Sequence, residues 1–368
     1  MIGMLRRLIP FALALSTTVA GAQEGSDASA RSAPQFFQYT IDGSTPTKIS
    51  ELAVPLYVLV PVSGAFSVDV GTAYAQARVQ QTLGGSTVSS TISGFTDTQI
   101  RGNYVIGNDF IVLTGGINLP NGTSTVTQQQ LVAADLIGSD FLALPISSLG
   151  TGFGATAGIA MTRPLGDWNV GIGASLRRSA GYDPLDAAGG PVLHYQPGNE
   201  YRARIGADRG IGAGRLTLGL TYSTFGDDNL AGSVYNTGDR YIAQLSFDNT
   251  VGNGRLGIDA WNLFRANGTL ADGSFYGHEN IGNVDLAYGV PAGRLIVEPS
   301  VEARTWTQEN AAASILGTIG LRVDVRARGL VVSLSGGYSV GRLGSIGAGP
   351  GDTTPMRGFH AMLAIRLR

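Results

Sequence analysis

Seven tight turns recur along this chain, and strongly alternating segments flank most of them. They are Ser63-Gly64, Gly107-Asn108-Asp109, Leu165-Gly166-Asp167, Gly210 to Gly214, Gly252-Asn253-Gly254, Pro291-Ala292-Gly293 and Ala327-Arg328-Gly329. Gly, Asn and Asp supply the positive φ angles that short hairpins need. Mostly longer, polar, Gly-rich connections lie between these turns. Short turns along one edge and longer loops along the other are the layout of a transmembrane β-barrel.

The alternation supports strands. Trp168, Val170, Ile172, Ala174 and Leu176 share one face, opposite Asn169, Gly171, Gly173, Ser175 and Arg177. Leu216, Leu218, Leu220 and Tyr222 oppose Thr217, Gly219, Thr221 and Ser223. The same period of two runs through 314–327, 329–341 and the last segment, 356–368. Such a pattern needs lipid or a core against its apolar face. A soluble sandwich alternates too, but its strands run about 5–6 residues. These are long enough to cross a bilayer at a tilt. Phe66, Tyr104, Phe110, Trp168, Tyr338 and Phe359 are expected to form an aromatic girdle.

Seven turns define fourteen strands, and 356–368 adds a fifteenth. Even strand number makes Gln35 to Ile41 the sixteenth, turning back through Asp42-Gly43-Ser44. The expected fold is therefore all-β, an antiparallel up-and-down barrel of about 16 strands over 35–368. The segment 48–62 is apolar on both faces, so the rival arrangement makes 35–62 a plug inside fourteen strands.

The ends and the composition agree. Arg6 and Arg7, the apolar run Leu8 to Val19, and Ala20-Gly21-Ala22 read as a secretory leader over 1–22. Residues 23–34 read as a flexible periplasmic lead-in. Gly is 54 of 368 residues, about twice the usual share, and charged residues are only 14 %. The chain has no Cys, which excludes disulfides and thiolate metal sites. A net charge of −2 gives no sign of a nucleic-acid partner. The expected location is the bacterial outer membrane of a Gram-negative cell. The expected partners are the lipid bilayer, the barrel assembly machinery and a small-molecule permeant; no cofactor is expected.

Alternation places a set of charges on the inward faces. The candidate pore-lining residues are Asp69, Asp97, Arg101, Arg177, Arg202, Arg204, Arg240, Glu298, Glu302, Arg304, Arg322, Asp324, Arg326 and Arg366. Glu200, Asp208, Asp248, Asp259 and Asp285 share the same faces. Glu298, Glu302, Arg304, Arg322, Asp324 and Arg326 are expected to meet as one mixed-charge patch. Such groups orient permeants or brace a polar lumen. In the longest connection, Leu119 to Thr151, the spacing of Leu131, Ala134 and Ile137 predicts a short helix over 125–137. That helix either constricts the pore or covers its mouth.

Enzyme signals are weak. The only histidines are His194, His278 and His360, and H-E-x-x-H does not occur. No catalytic residue and no metal site is expected, although Asp227-Asp228-Asn229 has the character of a calcium loop.

Gly94-Phe95-Thr96-Asp97-Thr98, followed after a hairpin by Gly116-Ile117-Asn118-Leu119-Pro120-Asn121-Gly122, resembles outer-membrane channels of the "MetA pathway of phenol degradation" type, loosely akin to FadL channels. About 60 residues carry the likeness; the Asn-Pro-Ala signature of the FadL hatch is absent. The resemblance implies passive uptake of small aromatic or apolar molecules. The alternatives from other classes are a structural or adhesive barrel with a closed lumen, and an outer-membrane hydrolase.

Overall fold

The computed structural model describes residues 28–107, 110–186, 190, 192–309, 311–327, 330–344 and 352–367, with the backbone alone at Tyr276, Arg326, Ala327, Arg366 and Leu367. The leader expected over 1–22 lies outside the described residues.

Sixteen staves form the wall. In chain order they are β1 (Ser29–Ser32 continued by Gln35–Ile41), β2 (Thr47–Pro61), β3 (Phe66–Leu83), β4 (Ser86–Phe95 continued by Thr98–Ile106), β5 (Ile111–Leu119), β6 (Gly154–Leu165), β7 (Trp168–Ser179) and β8 (Glu200–Ile211). The second half is β9 (Gly214–Phe225), β10 (Arg240–Val251), β11 (Gly254–Arg265), β12 (Glu279–Ala292), β13 (Leu295–Gln308), β14 (Ser314–Ala327), β15 (Leu330–Gly344) and β16 (Thr353–Leu367). Each pairs antiparallel with its chain neighbours. β1 pairs with both β2 and β16, so the sheet closes on itself. Closure leaves no unpaired edge, the condition for a sheet to exist in lipid. The 35–62 plug arrangement is thereby overturned: both segments are wall.

Ser29–Ser32, expected in a loose lead-in, belongs to the wall as well. It lies in register with Leu59 to Leu56, and the Ser32 hydroxyl donates to the Pro55 carbonyl at 2.6 Å. The rim of short turns is accordingly the rim where the first stave begins and the last ends. It is the inner, periplasmic rim of such a barrel.

One tight turn belongs to the other rim. β3 and β4 join through Gly84-Gly85, both with positive φ (56° and 85°), the signature of a two-residue hairpin. The connection is short because β3 and β4 stay paired up to Leu83 and Ser86, which leaves two residues to reverse the chain.

Outward positions form the lipid face. Ile172, Leu218, Leu220, Leu321, Leu334, Leu363 and Ile365 are exposed, as alternation requires, with Leu334 at 59 %. Trp168 is half-buried because the Arg209 guanidinium lies over its ring. Phe66, Tyr104, Phe110 and Trp168 flank inner turns, whereas Tyr338 and Phe359 lie eight residues from the inner ends of their staves. A second aromatic row faces outward near the loop rim: Tyr222 and Tyr241 at 5.1 Å, then Phe264 at 6.2 Å from Tyr241.

Candidate permeation path

The long connection between β5 and β6 folds into the barrel. Its helix α1 spans Leu131–Ile137, shorter than the sequence spacing predicts. Gln128–Gln130 forms one 3₁₀ turn before it, and Val126–Thr127 pairs instead with Leu185–Asp186. Leu131, Ala133, Ala134, Ile137, Phe141, Leu142, Leu144 and Leu149 are buried against inward residues of the wall. Those include Ile49, Val79, Ile92, Leu263, Ile281, Leu316 and Met356. Ile49 on β2 is fully buried, and the loop covers the inner face of that strand from Thr47 to Pro55, while Tyr57 and Leu59 further along the same face stay exposed.

Polar contacts pin the loop at several bearings. Asp140 meets Arg265 at 2.9 Å, and the same guanidinium holds Glu279 at 3.2 Å. Arg304 donates to the Phe141 carbonyl at 2.9 Å and to Glu302 at 2.6 Å. The Tyr39 hydroxyl donates to the Leu142 carbonyl, and Ile146 N–H donates to the buried Glu51 carboxylate at 2.8 Å. On the far side the Ser90 hydroxyl donates to the Gln129 carbonyl at 2.6 Å.

Both ends of the loop are tied to one carboxylate. Asp97 accepts Gly122 N–H at 2.9 Å, Thr151 N–H at 2.6 Å and the Asn118 amide at 3.0 Å. Asn121 closes the same corner by accepting Thr98 N–H at 2.8 Å. A Cβ at Gly122 would lie 2.2 Å from the Leu149 carbonyl oxygen, so only glycine fits there. The residues that carry the family resemblance thus build the clasp of the infolded loop. Asp97 is 8 % exposed and lines nothing.

The other candidate residues divide. Arg240 is buried, and Arg304 is held beneath the loop. Arg177 is half-buried and reaches Thr151. The side chains of Arg326 and Arg366 lie outside the described residues. Asp69, Arg101, Arg202, Arg204 and Arg322 face the open lumen. Arg101 pairs with Asp69 at 2.9 Å, Arg202 with Glu200 at 2.6 Å, and Arg204 donates to Gln244 at 3.1 Å. The single mixed-charge patch becomes two clusters. Glu302 and Arg304 serve the loop, whereas Arg322 holds Glu298 and Asp324, each at 3.2 Å, nearer the inner rim.

Inward glycines on β6–β9 widen this open side. Gly158, Gly171, Gly173, Gly206 and Gly219 occupy registers where their neighbours carry Ser175, Arg202 and Arg204. Arg204, Gln244, Asp285 and Glu302 each sit seven residues from the inner ends of their staves, so they share a belt at mid-depth. On that belt Asp285 faces Asp259 on one side and Glu302 on the other in direct register. Among the described residues, Glu302 is the one of these three acids with an arginine partner, Arg304. Adjacent carboxylates repel, and in a dry interior the cost would be severe.

Outside the wall, the loops 180–199 and 226–239 are zipped together. Tyr195 and Gln196 pair with Leu230 and Asn229, and Tyr182 bridges to Tyr195. Asp228 is buried and accepts Gly198 N–H at 2.7 Å, so it is a loop brace rather than part of an open calcium loop. Burial pushes its carboxyl above the usual range. The Ser274 hydroxyl donates to Asp272 at 2.6 Å, and His278 faces Glu309 at 3.4 Å. No helix among the described residues is long and apolar enough to cross a membrane; the strands cross instead.

No known family and no curated protein matches this chain. Solved barrels do. An outer-membrane channel from Pseudomonas putida F1 is 11 % identical, with 95 % of this chain and 98 % of that one covered at a TM-score of 0.40. An anion-selective porin from Comamonas acidovorans is 13 % identical over 93 % and 99 %, with a TM-score of 0.44. The outer-membrane protein opdK from Pseudomonas aeruginosa is 9 % identical over 93 % and 98 %, with a TM-score of 0.43. These likenesses concern the barrel fold alone. The fold is a closed, antiparallel, 16-stranded barrel with an apolar outward face.

Proposed function

We propose that this protein is a passive channel for small molecules across the outer membrane, narrowed on its loop side by the infolded segment. The observation that carries this reading is the mid-depth row Asp259, Asp285 and Glu302, with Arg101 and Arg202 about half exposed around the same lumen. Charges so arranged need water beside them, and a water-filled lumen is a path. Acids and arginines both line it, so charge selectivity is weak. The resemblance of the Asp97 clasp residues to phenol-degradation channels extends the proposal to small aromatic permeants. Liposome swelling with sugars, amino acids and phenols tests it: rates should fall with solute size, and phenols should enter fastest. Vesicles bearing folded protein that swell no faster than empty ones would leave the closed, structural barrel as the correct reading.

A further inference from the structure

We propose that the outward face of β15, β16, β1, β2 and β3 is a binding surface for the phosphorylated glycolipid of the external leaflet. Four cations stand on it: Arg342, Arg357, Lys48 and Arg78, all exposed. Lys48 is the only lysine of the chain. Strand alternation fixes their direction. Arg342 shares its face with Val340, Arg357 with Phe359, Lys48 with Leu52 and Arg78 with Tyr74, all exposed lipid-face residues.

Register gathers them. Arg357 faces Thr40, and Thr40 faces Lys48 across the next pairing. Arg78 faces Ser50, two residues along from Lys48, and Arg342 faces Pro355, two residues from Arg357. No carboxylate shares the outward face of these five staves among the described residues. In the adjoining turn Asp42 lies 3.6 Å from Arg357. Arg78 donates to the Ser89 hydroxyl, and Lys48 and Arg342 form no ion pair among the described residues.

Depth selects the ligand. Arg357 lies ten residues from Leu367, Arg342 twelve from Leu330, Lys48 thirteen from Pro61 and Arg78 twelve from Phe66. A tilted strand crosses the apolar band in about 9–11 residues. The four cations therefore sit at the outer headgroup level, and Val340, Phe359 and Leu52 sit below them at acyl depth. Clustered cations above an apolar shelf match a lipid with several phosphates on a sugar headgroup and several chains beneath it.

The full barrel, reconstituted in vesicles of zwitterionic phospholipid with a small fraction of diphosphorylated glycolipid, is re-extracted in detergent and its bound lipid is quantified by mass spectrometry. Substituting Lys48→Gln, Arg78→Gln, Arg342→Gln and Arg357→Gln together should strip the glycolipid. Each single change should lower retention about fivefold, the equivalent of roughly 1 kcal/mol per basic residue at an anionic surface. Lys48→Arg should retain it, and so should Arg163→Gln, an outward arginine near the inner rim. Heat-modifiable migration of every variant shows that the barrel is folded. The dephosphorylated glycolipid should not be retained. Equal retention by the fourfold variant overturns the proposal, as does equal retention of an anionic phospholipid.

Discussion

At the scale of single residues, Asp97 is the most consequential side chain. Alternation along β4 points it inward, and from sequence it reads as pore lining. The loop that lands on it comes from residues 25 to 54 positions away, and no local pattern announces that contact. The same limit applies to Glu51 and Arg265, whose partners Ile146 and Asp140 lie 95 and 125 residues distant. Replacing Asp97 with Ala would orphan two half-buried backbone donors, Gly122 N–H and Thr151 N–H, at a combined cost of about 1–3 kcal/mol. The expected result is a loop cut readily by added protease and a larger single-channel conductance, with the barrel still resistant. On the lipid face, Leu334→Arg should destabilise the barrel by about 2–4 kcal/mol near the bilayer midplane, measured by reversible unfolding from vesicles. Leu334 was legible because period two survives wherever one neighbour is lipid and the other is water.

At the scale of elements, legibility tracks the environment of each face. β7 and β9 alternate cleanly because one side meets lipid and the other meets water. β2 does not, because the infolded loop turns its inner face into core from Thr47 to Pro55; nothing local in the sequence announces that covering, so an apolar strand also reads as a plug. The helix shortens to Leu131–Ile137 because the preceding residues are drawn into pairing with the next loop. Asp228 gives the loop pair a pH dependence. Its carboxyl is pushed up by burial, so the folded state holds the proton more tightly than the unfolded one. The stabilisation is fully present below the ordinary carboxylate value and is lost as pH rises through the raised value. Hydrogen exchange at Tyr195 and Leu230 should therefore quicken as pH rises through that window, beyond the intrinsic pH dependence of exchange. In Asp228→Asn this extra quickening should vanish.

At the scale of the whole molecule, the closed barrel follows from a count of sixteen staves, joined by tight turns along one rim and, apart from Gly84-Gly85, by longer connections along the other. Closure, strand number and the shared rim of the short turns were all readable from turn chemistry and period. The division of the lumen into a loop-filled side and an open, glycine-floored side was not, since it depends on where one connection settles. The charges on the open side set a further expectation. Replacing Arg202 and Arg204 with Ala leaves Asp259, Asp285 and Glu302 less opposed, so the reversal potential in a salt gradient should shift towards cation preference. The measurement that tests the account most directly is the conductance of the wild-type barrel in a planar bilayer. The expected result is a steady, ohmic, weakly selective conductance that rises when Asp97 is replaced by Ala. Folded protein that inserts yet passes no current, with or without the clasp, would contradict it.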